Sequence, residues 1–188
     1  MPSGQLSAPF YRRPVLTVAR DLLGRTLCRQ LADGSVLRGR LVEVEAYDGP
    51  RDRASHAFRG LTMRNRWMFE AGGLAYVYLV YGMHHCLNIV TGAPGDPTAV
   101  LLRAAESPNG LSASGPGRLS RAFQVDRSLD GSSFVGGPLW LEAGRPVPDT
   151  AVRKTRRIGV EYAGAWANRR YRFLIAGHPD VSGPNRLR

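Results

Sequence analysis

The spacing of hydrophobic positions changes several times along the chain, and each change predicts an element. Over residues 14–24, Val15, Val18, Ala19, Leu22 and Leu23 recur at helical spacing. Proline near the start and Gly24 as the stop complete a helix signal. From Val36 to Tyr47 the period becomes two, so Val42, Val44 and Ala46 share one strand face, while Leu41, Glu43, Glu45 and Tyr47 share the other. Two acids and a tyrosine on one face are an odd choice for a plain core strand. A polar stretch over residues 48–66 opens on the turn signal Asp48-Gly49-Pro50. Residues 75–81 and 86–91 read as strands, joined by Gly82-Met83-His84-His85 as a hairpin connection. Residues 98–106 form a further apolar strand interrupted by Arg103, and Gly115-Pro116-Gly117 opens a helix reaching Phe123. Strand-like pieces follow at 139–142, 158–162 and 171–175.

This mixture has no regular strand–helix–strand alternation, which predicts an α+β fold. With 188 residues, one domain over residues 1–188 is expected. Residues 1–9 read as a flexible N-terminal tail; they lack the apolar segment of a signal peptide. No run approaches transmembrane length. The two cysteines, Cys28 and Cys86, form no framework. The expectation is a reduced intracellular protein, cytoplasmic in a bacterium or nuclear in a eukaryote, and not secreted.

Charge narrows the partners. The net charge of +11 attracts polyanions, of which nucleic acid is the commonest in a cell, although arginine-rich genome coding would also load a surface this way. Of 26 basic residues only Lys154 is a lysine, which limits covalent chemistry. A Schiff-base lyase needs an uncharged amine, and only Lys154 and the chain amino terminus offer one. The neighbouring Arg153, Arg156 and Arg157 would lower the pKa of Lys154, so the role is not excluded, yet water is the better-supported nucleophile.

Three groups of residues carry candidate chemistry. Tyr76 and Tyr78 share a strand face, with Tyr81 on the opposite face at the strand end. Tyrosines commonly pack at sheet margins, but a bulky side chain on a hairpin tip of a basic protein also suits a wedge between base steps. Glu43 and Glu45 are either solvated acids or the border of a cleft, where Arg103 would keep a carboxylate ionised and a water in place. His56 stands alone after the turn, the setting of an ordinary solvated histidine. His84 and His85 beside Cys86 point to opposite faces, and no second ligand pair stands at zinc spacing, so neither metal nor cofactor is expected.

Assembled, these residues resemble the alkyladenine (3-methyladenine) DNA glycosylases, the methylpurine glycosylases of base excision repair. The likeness rests on Leu41-Val-Glu-Val-Glu45-Ala-Tyr47-Asp-Gly-Pro50, Arg64-Asn-Arg66 with Met68-Phe69, and Tyr76-Val-Tyr78-Leu-Val-Tyr81-Gly82-Met83. It continues through Asn88, Val100-Leu-Leu-Arg103-Ala-Ala-Glu106, Ser114-Gly-Pro116 and Arg157-Ile158-Gly159-Val160, covering nearly all of the chain from Phe10 onward. His84, His85 and Trp67 depart from the pattern, and residues 107–113 form a shortened stretch.

The resemblance implies a curved, open-barrel-like, mainly antiparallel core with flanking helices and a hairpin that enters the DNA minor groove. It implies excision of alkylated or deaminated purines (3-methyladenine, 7-methylguanine, ethenoadenine and hypoxanthine) from duplex DNA by a monofunctional enzyme. Glu45 would be general base for a water also held by Arg103 and the carbonyl of Ile158. Tyr47 would lie on one face of the flipped base, with His56 and Tyr78 on the other, and Asn88 would oppose the 2-amino group of guanine. Tyr81 would fill the gap in the duplex, Met83 and His84 would lie in the minor groove, and Arg64, Asn65 and Arg66 would hold the backbone. The implied partners are damaged double-stranded DNA and downstream repair enzymes that receive the abasic site from a monomer. A cationic alkylated base would add cation–π attraction to these aromatic faces. Two other readings stay open: a carbohydrate-active hydrolase using Glu43 and Glu45, and a non-catalytic RNA- or single-strand-binding module.

Overall fold

A computed structural model describes residues 4–183, and its centre is the long strand that the period-two pattern predicts. In chain order the elements are helices α1 (Ala8–Tyr11) and α2 (Val15–Leu22), then strands β1 (Thr26–Gln30), β2 (Val36–Tyr47), β3 (Ala75–Val80), β4 (His84–Thr91) and β5 (Thr98–Ala105). Helix α3 (Pro116–Ala122) and strands β6 (Leu139–Glu142), β7 (Val152–Thr155) and β8 (Arg172–Ile175) follow. The sheet order is β3-β4-β5-β2-β1-β6, with β8 added to β2 and β7 to β8. Every strand pair is antiparallel, giving an α+β fold around an open sheet. One edge of β2 serves β1 through residues 36–40 and β8 through residues 43–45, while the other carries β5.

Helix α2 forms where the apolar spacing places it, and its buried stripe of Val15, Val18, Ala19 and Leu22 joins Leu27, Leu41, Leu102, Phe123 and Phe173 in the main apolar cluster. Each fully buried side chain of this size stabilises the fold by about 1.5–3 kcal/mol. Gly39 allows the closest approach: a Cβ there would stand 2.3 Å from the Glu106 carbonyl oxygen and 2.8 Å from the Phe123 ring.

Two irregularities in the β2–β5 ladder position the polar residues. Leu41 pairs with Ala105 but Glu43 with Ala104, so Val42 is an extra residue on β2. Val44 then pairs with Leu102, which leaves Arg103 as the extra residue on β5 and restores the register. Bulges re-aim side chains, and this offsetting pair turns Arg103 toward Glu43 and Glu45.

Strands β3 and β4 form the expected hairpin, but the turn begins one residue earlier and ends two residues earlier than the sequence suggests. Residues 81–83 make it, and His84 and His85 are already paired with Val80 and Leu79. The reason is backbone conformation: Tyr81 (φ 51) and Gly82 (φ 69) both take left-handed angles, and Met83 N–H donates to the Val80 carbonyl at 3.1 Å. Tight hairpins favour two such residues in succession, and a tyrosine there is strained.

Elsewhere the structure corrects two sequence expectations and adds strands that the sequence does not mark. Residues 158–162 form no strand. Gly159 has φ 74, and Val160 packs with Ala54 and Ala163, so the apolar alternation reflects a loop with its own small cluster. The strand in this region is β7. Strand β1 has no clear period and is missed, although it joins β2 to β6. From Gln5 onward the segment read as a tail is bonded: Gln5 bridges to Glu142, Leu6 N–H donates to the Leu141 carbonyl at 2.8 Å, and α1 follows. The first three residues of that expected tail lie outside the described range. No helix among the described residues is long and apolar enough to cross a membrane.

Candidate active site

Strand β2 ends in the polar face that the sequence marks, and the structure surrounds it with donors. Glu45 has no exposed surface. Its Oε1 accepts the main-chain N–H of Ile158 at 2.8 Å and lies 3.4 Å from Nη1 of Arg103. Its Oε2 accepts the Tyr47 hydroxyl at 3.0 Å. All three neighbours present N–H or O–H groups to it. The contact from Ile158 is thus through its amide, a different atom from the carbonyl that the resemblance assigns to the water. Burial raises the Tyr47 phenol well above its ordinary pKa, with Glu45 adding to the effect, so the hydroxyl stays a donor.

Glu43, two residues away, is occupied differently. Its Oε1 accepts from Arg103 Nε at 2.8 Å, Arg172 Nε at 2.7 Å and the Ser182 hydroxyl at 2.9 Å, and its Oε2 accepts the Ser182 amide at 2.6 Å. Burial opposes ionisation here, but Arg103 and Arg172 outweigh it and hold the Glu43 carboxyl below the usual range. Burial likewise works against the charge on Arg103, and Glu45 and Glu43 restore it. Glu43 is therefore a buried brace, and a Glu43/Glu45 acid–base pair is not supported.

Tyr47, His56, Tyr78, Asn88, Arg103 and Ile158, all singled out in the sequence, line one cleft of about 440 Å³ together with Tyr81. His56 and Tyr78 meet edge to face, their ring centroids 4.6 Å apart, and Tyr76 lies 5.3 Å from Tyr78. His56 Nδ1 is 2.8 Å from the Tyr76 hydroxyl, a partnership the sequence does not announce. His56 stands at the cleft rim with part of its surface open. Burial of its inner part, with the Arg64 guanidinium adding to the effect, pushes its pKa down to about 4. Asn88 is buried, and its Nδ2 donates to the carbonyls of Tyr76 at 3.0 Å and Cys86 at 3.4 Å.

Around the hairpin tip, Tyr81 is 89% exposed and Met83 72% exposed, large apolar surfaces with no packing of their own. Met83 and His84 line a second cleft beyond Tyr81, of about 770 Å³, with Arg118 and Arg121. Arg64 lines the first cleft, while Arg66 is exposed and stacks over Trp67 at 4.6 Å. The departure at Trp67 has a packing reason: Gly131 makes room, since a Cβ there would stand 2.5 Å from the indole. Asn65, expected among the DNA-backbone residues, points inward instead. It is 2% exposed, its Nδ2 donates to the carbonyls of His56 at 3.0 Å and Gly60 at 2.9 Å, and its Oδ1 accepts the Thr62 amide at 2.7 Å. It staples the loop that carries His56.

Sequence reasoning missed one further pair. Arg157 is buried, donates to Asp52 Oδ1 at 2.8 Å and to the Ala46 carbonyl at 2.9 Å, and stacks on Tyr47. These groups lie 105 and 111 positions away, with no local signal to join them.

The model of one family, methylpurine-DNA glycosylase, matches residues 9–179. A protein of Anaeromyxobacter dehalogenans strain 2CP-1 is 50% identical over 184 residues, covering 96% of this chain and 86% of its own. One from Myxococcus xanthus is 47% identical over 185 residues, covering 95% and 94%. One from Methanocella arvoryzae is 47% identical over 193 residues, covering 94% and 95%. All three bear the name "Putative 3-methyladenine DNA glycosylase". With a family match over most of its length and relatives this similar end to end, the chain belongs to the methylpurine-DNA glycosylase family.

Proposed function

We propose that the protein flips alkylated or deaminated purines out of duplex DNA and hydrolyses their N-glycosidic bond with a water activated by Glu45, leaving an abasic site. The observation that carries this reading is the buried Glu45 carboxylate, held by Tyr47, Arg103 and Ile158, beside an aromatic-lined cleft.

The energetics are consistent with base capture. Extruding a base costs a few kcal/mol, and stacking on an aromatic side chain returns about 1–3 kcal/mol per contact. Tyr47 and Tyr78 line the cleft as stacking surfaces, and the His56 edge closes the side against Tyr78. Tyr81, exposed on a strained turn at the cleft mouth, fills the space the base leaves. Strain of this kind clusters at functional positions. Asn88 at the cleft wall reads the purine edge, and Met83 and His84 follow the minor groove beyond the wedge. Arg64 and Arg66, both exposed, bind the phosphate backbone.

The water needs one base and a fixed orientation. Glu45 takes its proton, and Arg103 and the Ile158 backbone hold the geometry. The Tyr47 hydroxyl takes one acceptor site of Oε2 and leaves another for the water, so the ring that stacks on the base also steadies the carboxylate that activates the water. Water is favoured over an amine nucleophile because Lys154 lies on β7 against the Phe173 ring at 5.5 Å and does not line the cleft. The hydrolase of sugar polymers loses its second acid once Glu43 is a brace, and a simple RNA-binding module has no use for Glu45 among its donors.

The test is the product made from a duplex carrying ethenoadenine or hypoxanthine. The expected product is a strand that stays intact until alkali cleaves it at the abasic position. A nicked strand, or an adduct trapped by borohydride, contradicts the hydrolytic reading.

A further inference from the structure

Both tyrosine walls of the cleft carry a guanidinium. The central guanidinium carbon of Arg157 lies 4.8 Å from the Tyr47 ring centroid and 5.4 Å from that of Tyr171, and that of Arg64 lies 5.4 Å from the Tyr78 centroid. The Arg157 side chain has no exposed surface, and it lines a cavity behind the site rather than the cleft. It therefore rests on the face of Tyr47 turned away from the base. Asp52 and the carbonyls of Ala46 and Trp166 hold two of its nitrogens. Its buried Nε has no hydrogen-bond partner among the described residues, and the flanking surfaces are tyrosine rings.

An aromatic ring attracts a cation through the negative potential of its faces. A guanidinium already seated on one face draws that density toward itself, and its field crosses the ring to repel a second cation. Arg64, over the Tyr78 ring and itself lining the cleft, repels a cation there directly. Arg103 adds a third guanidinium at the cleft wall, where Glu43 and Glu45 balance its charge; Arg157 is paired with Asp52, and its guanidinium is the member of that pair in contact with the Tyr47 ring.

We propose that Arg157 and Arg64 determine the charge preference of the base site by cancelling the cation–π advantage of the Tyr47 and Tyr78 rings. Neutral damaged purines, the deaminated and etheno class, are then held by stacking as well as cationic N-alkylpurines are. This inference rests on the base-flipping reading above, and it revises the sequence expectation that the aromatic faces favour a cationic base.

The experiment compares single-turnover efficiency, rate divided by half-saturating concentration, on duplexes carrying 7-methylguanine (cationic) and hypoxanthine (neutral). The proteins are wild type, Arg64→Gln, Arg157→Lys and the double variant Arg157→Gln with Asp52→Asn, which leaves no buried charge without its partner. Altered water activation or phosphate binding changes both duplexes alike and divides out of the ratio. The cationic-to-neutral ratio is expected to rise about three- to tenfold in Arg64→Gln and in the double variant, and to stay within about twofold of wild type in Arg157→Lys, which keeps the charge. Arg64 is exposed, so its variant carries the test even if the double variant loses cooperative melting. An unchanged or lowered ratio in folded Arg64→Gln overturns the proposal. Failure of wild type to release either base would instead overturn the glycosylase reading beneath it.

Discussion

The main-chain amide of Ile158 donates to Oε1 of Glu45 at 2.8 Å, joining positions 113 residues apart. The loop after β7 is thereby part of the carboxylate's environment, although its apolar alternation reads as a strand. The same loop carries Arg157, which ties Asp52 and Tyr47 to it. One short segment thus sets the orientation of the acid and of the aromatic wall beside it.

Tyr47→Phe keeps the ring and removes the hydroxyl that holds Glu45 Oε2. A hydrogen bond to a charged group contributes about 1.5–3 kcal/mol. Single-turnover base release should slow by about tenfold with duplex affinity unchanged. Weakened affinity at an unchanged release rate would show that the hydroxyl serves binding instead.

Glu43→Leu leaves Arg103 and Arg172 without the carboxylate that both meet. Removing one partner of a buried ion pair typically costs about 3–5 kcal/mol. Chemical denaturation should show a loss of that size. A variant within about 1 kcal/mol of wild type would mean that Glu43 is not the brace described.

Tyr81→Gly separates strain from function. Glycine adopts φ 51 without penalty, and the exposed ring contributes no packing to the fold. Melting temperature should hold or rise, while capture of the flipped base falls more than overall salt-sensitive DNA binding. Equal losses in both kinds of binding would argue against a wedge.

His56 should titrate near 4 in the folded protein, against an ordinary value of 6.5. Between those values the unfolded chain binds the proton more readily, so the stability linked to neutral His56 is complete above 6.5 and is lost as the pH falls toward 4. NMR titration of the ring protons measures the value directly. A midpoint near 6.5 would contradict it. His56→Gln should lessen the fall in melting temperature across the same window.

Much of this was legible in the sequence because local periodicity carries it. The face shared by Glu43, Glu45 and Tyr47 follows from alternation on β2, and the tyrosine hairpin follows from two apolar runs around Gly82. The roles of the two glutamates were not separable that way. Their difference depends on Arg172 and Ser182, 129 and 139 positions distant, and on offsetting bulges that no pattern of residue types announces. Asn65 misled for a related reason: an amide in a basic run looks available to phosphate, yet this one is used up in closing its own loop. Gln5 and Leu6 of the expected tail are tied down by main-chain pairing with β6, which leaves little trace in side-chain character.

The central claim is tested most directly by Glu45→Gln in a single-turnover assay on duplex carrying ethenoadenine. The substitution preserves shape and removes the base that takes the water's proton. Duplex affinity should stay near wild type while base release falls below detection. Release at the wild-type rate would contradict the role of Glu45.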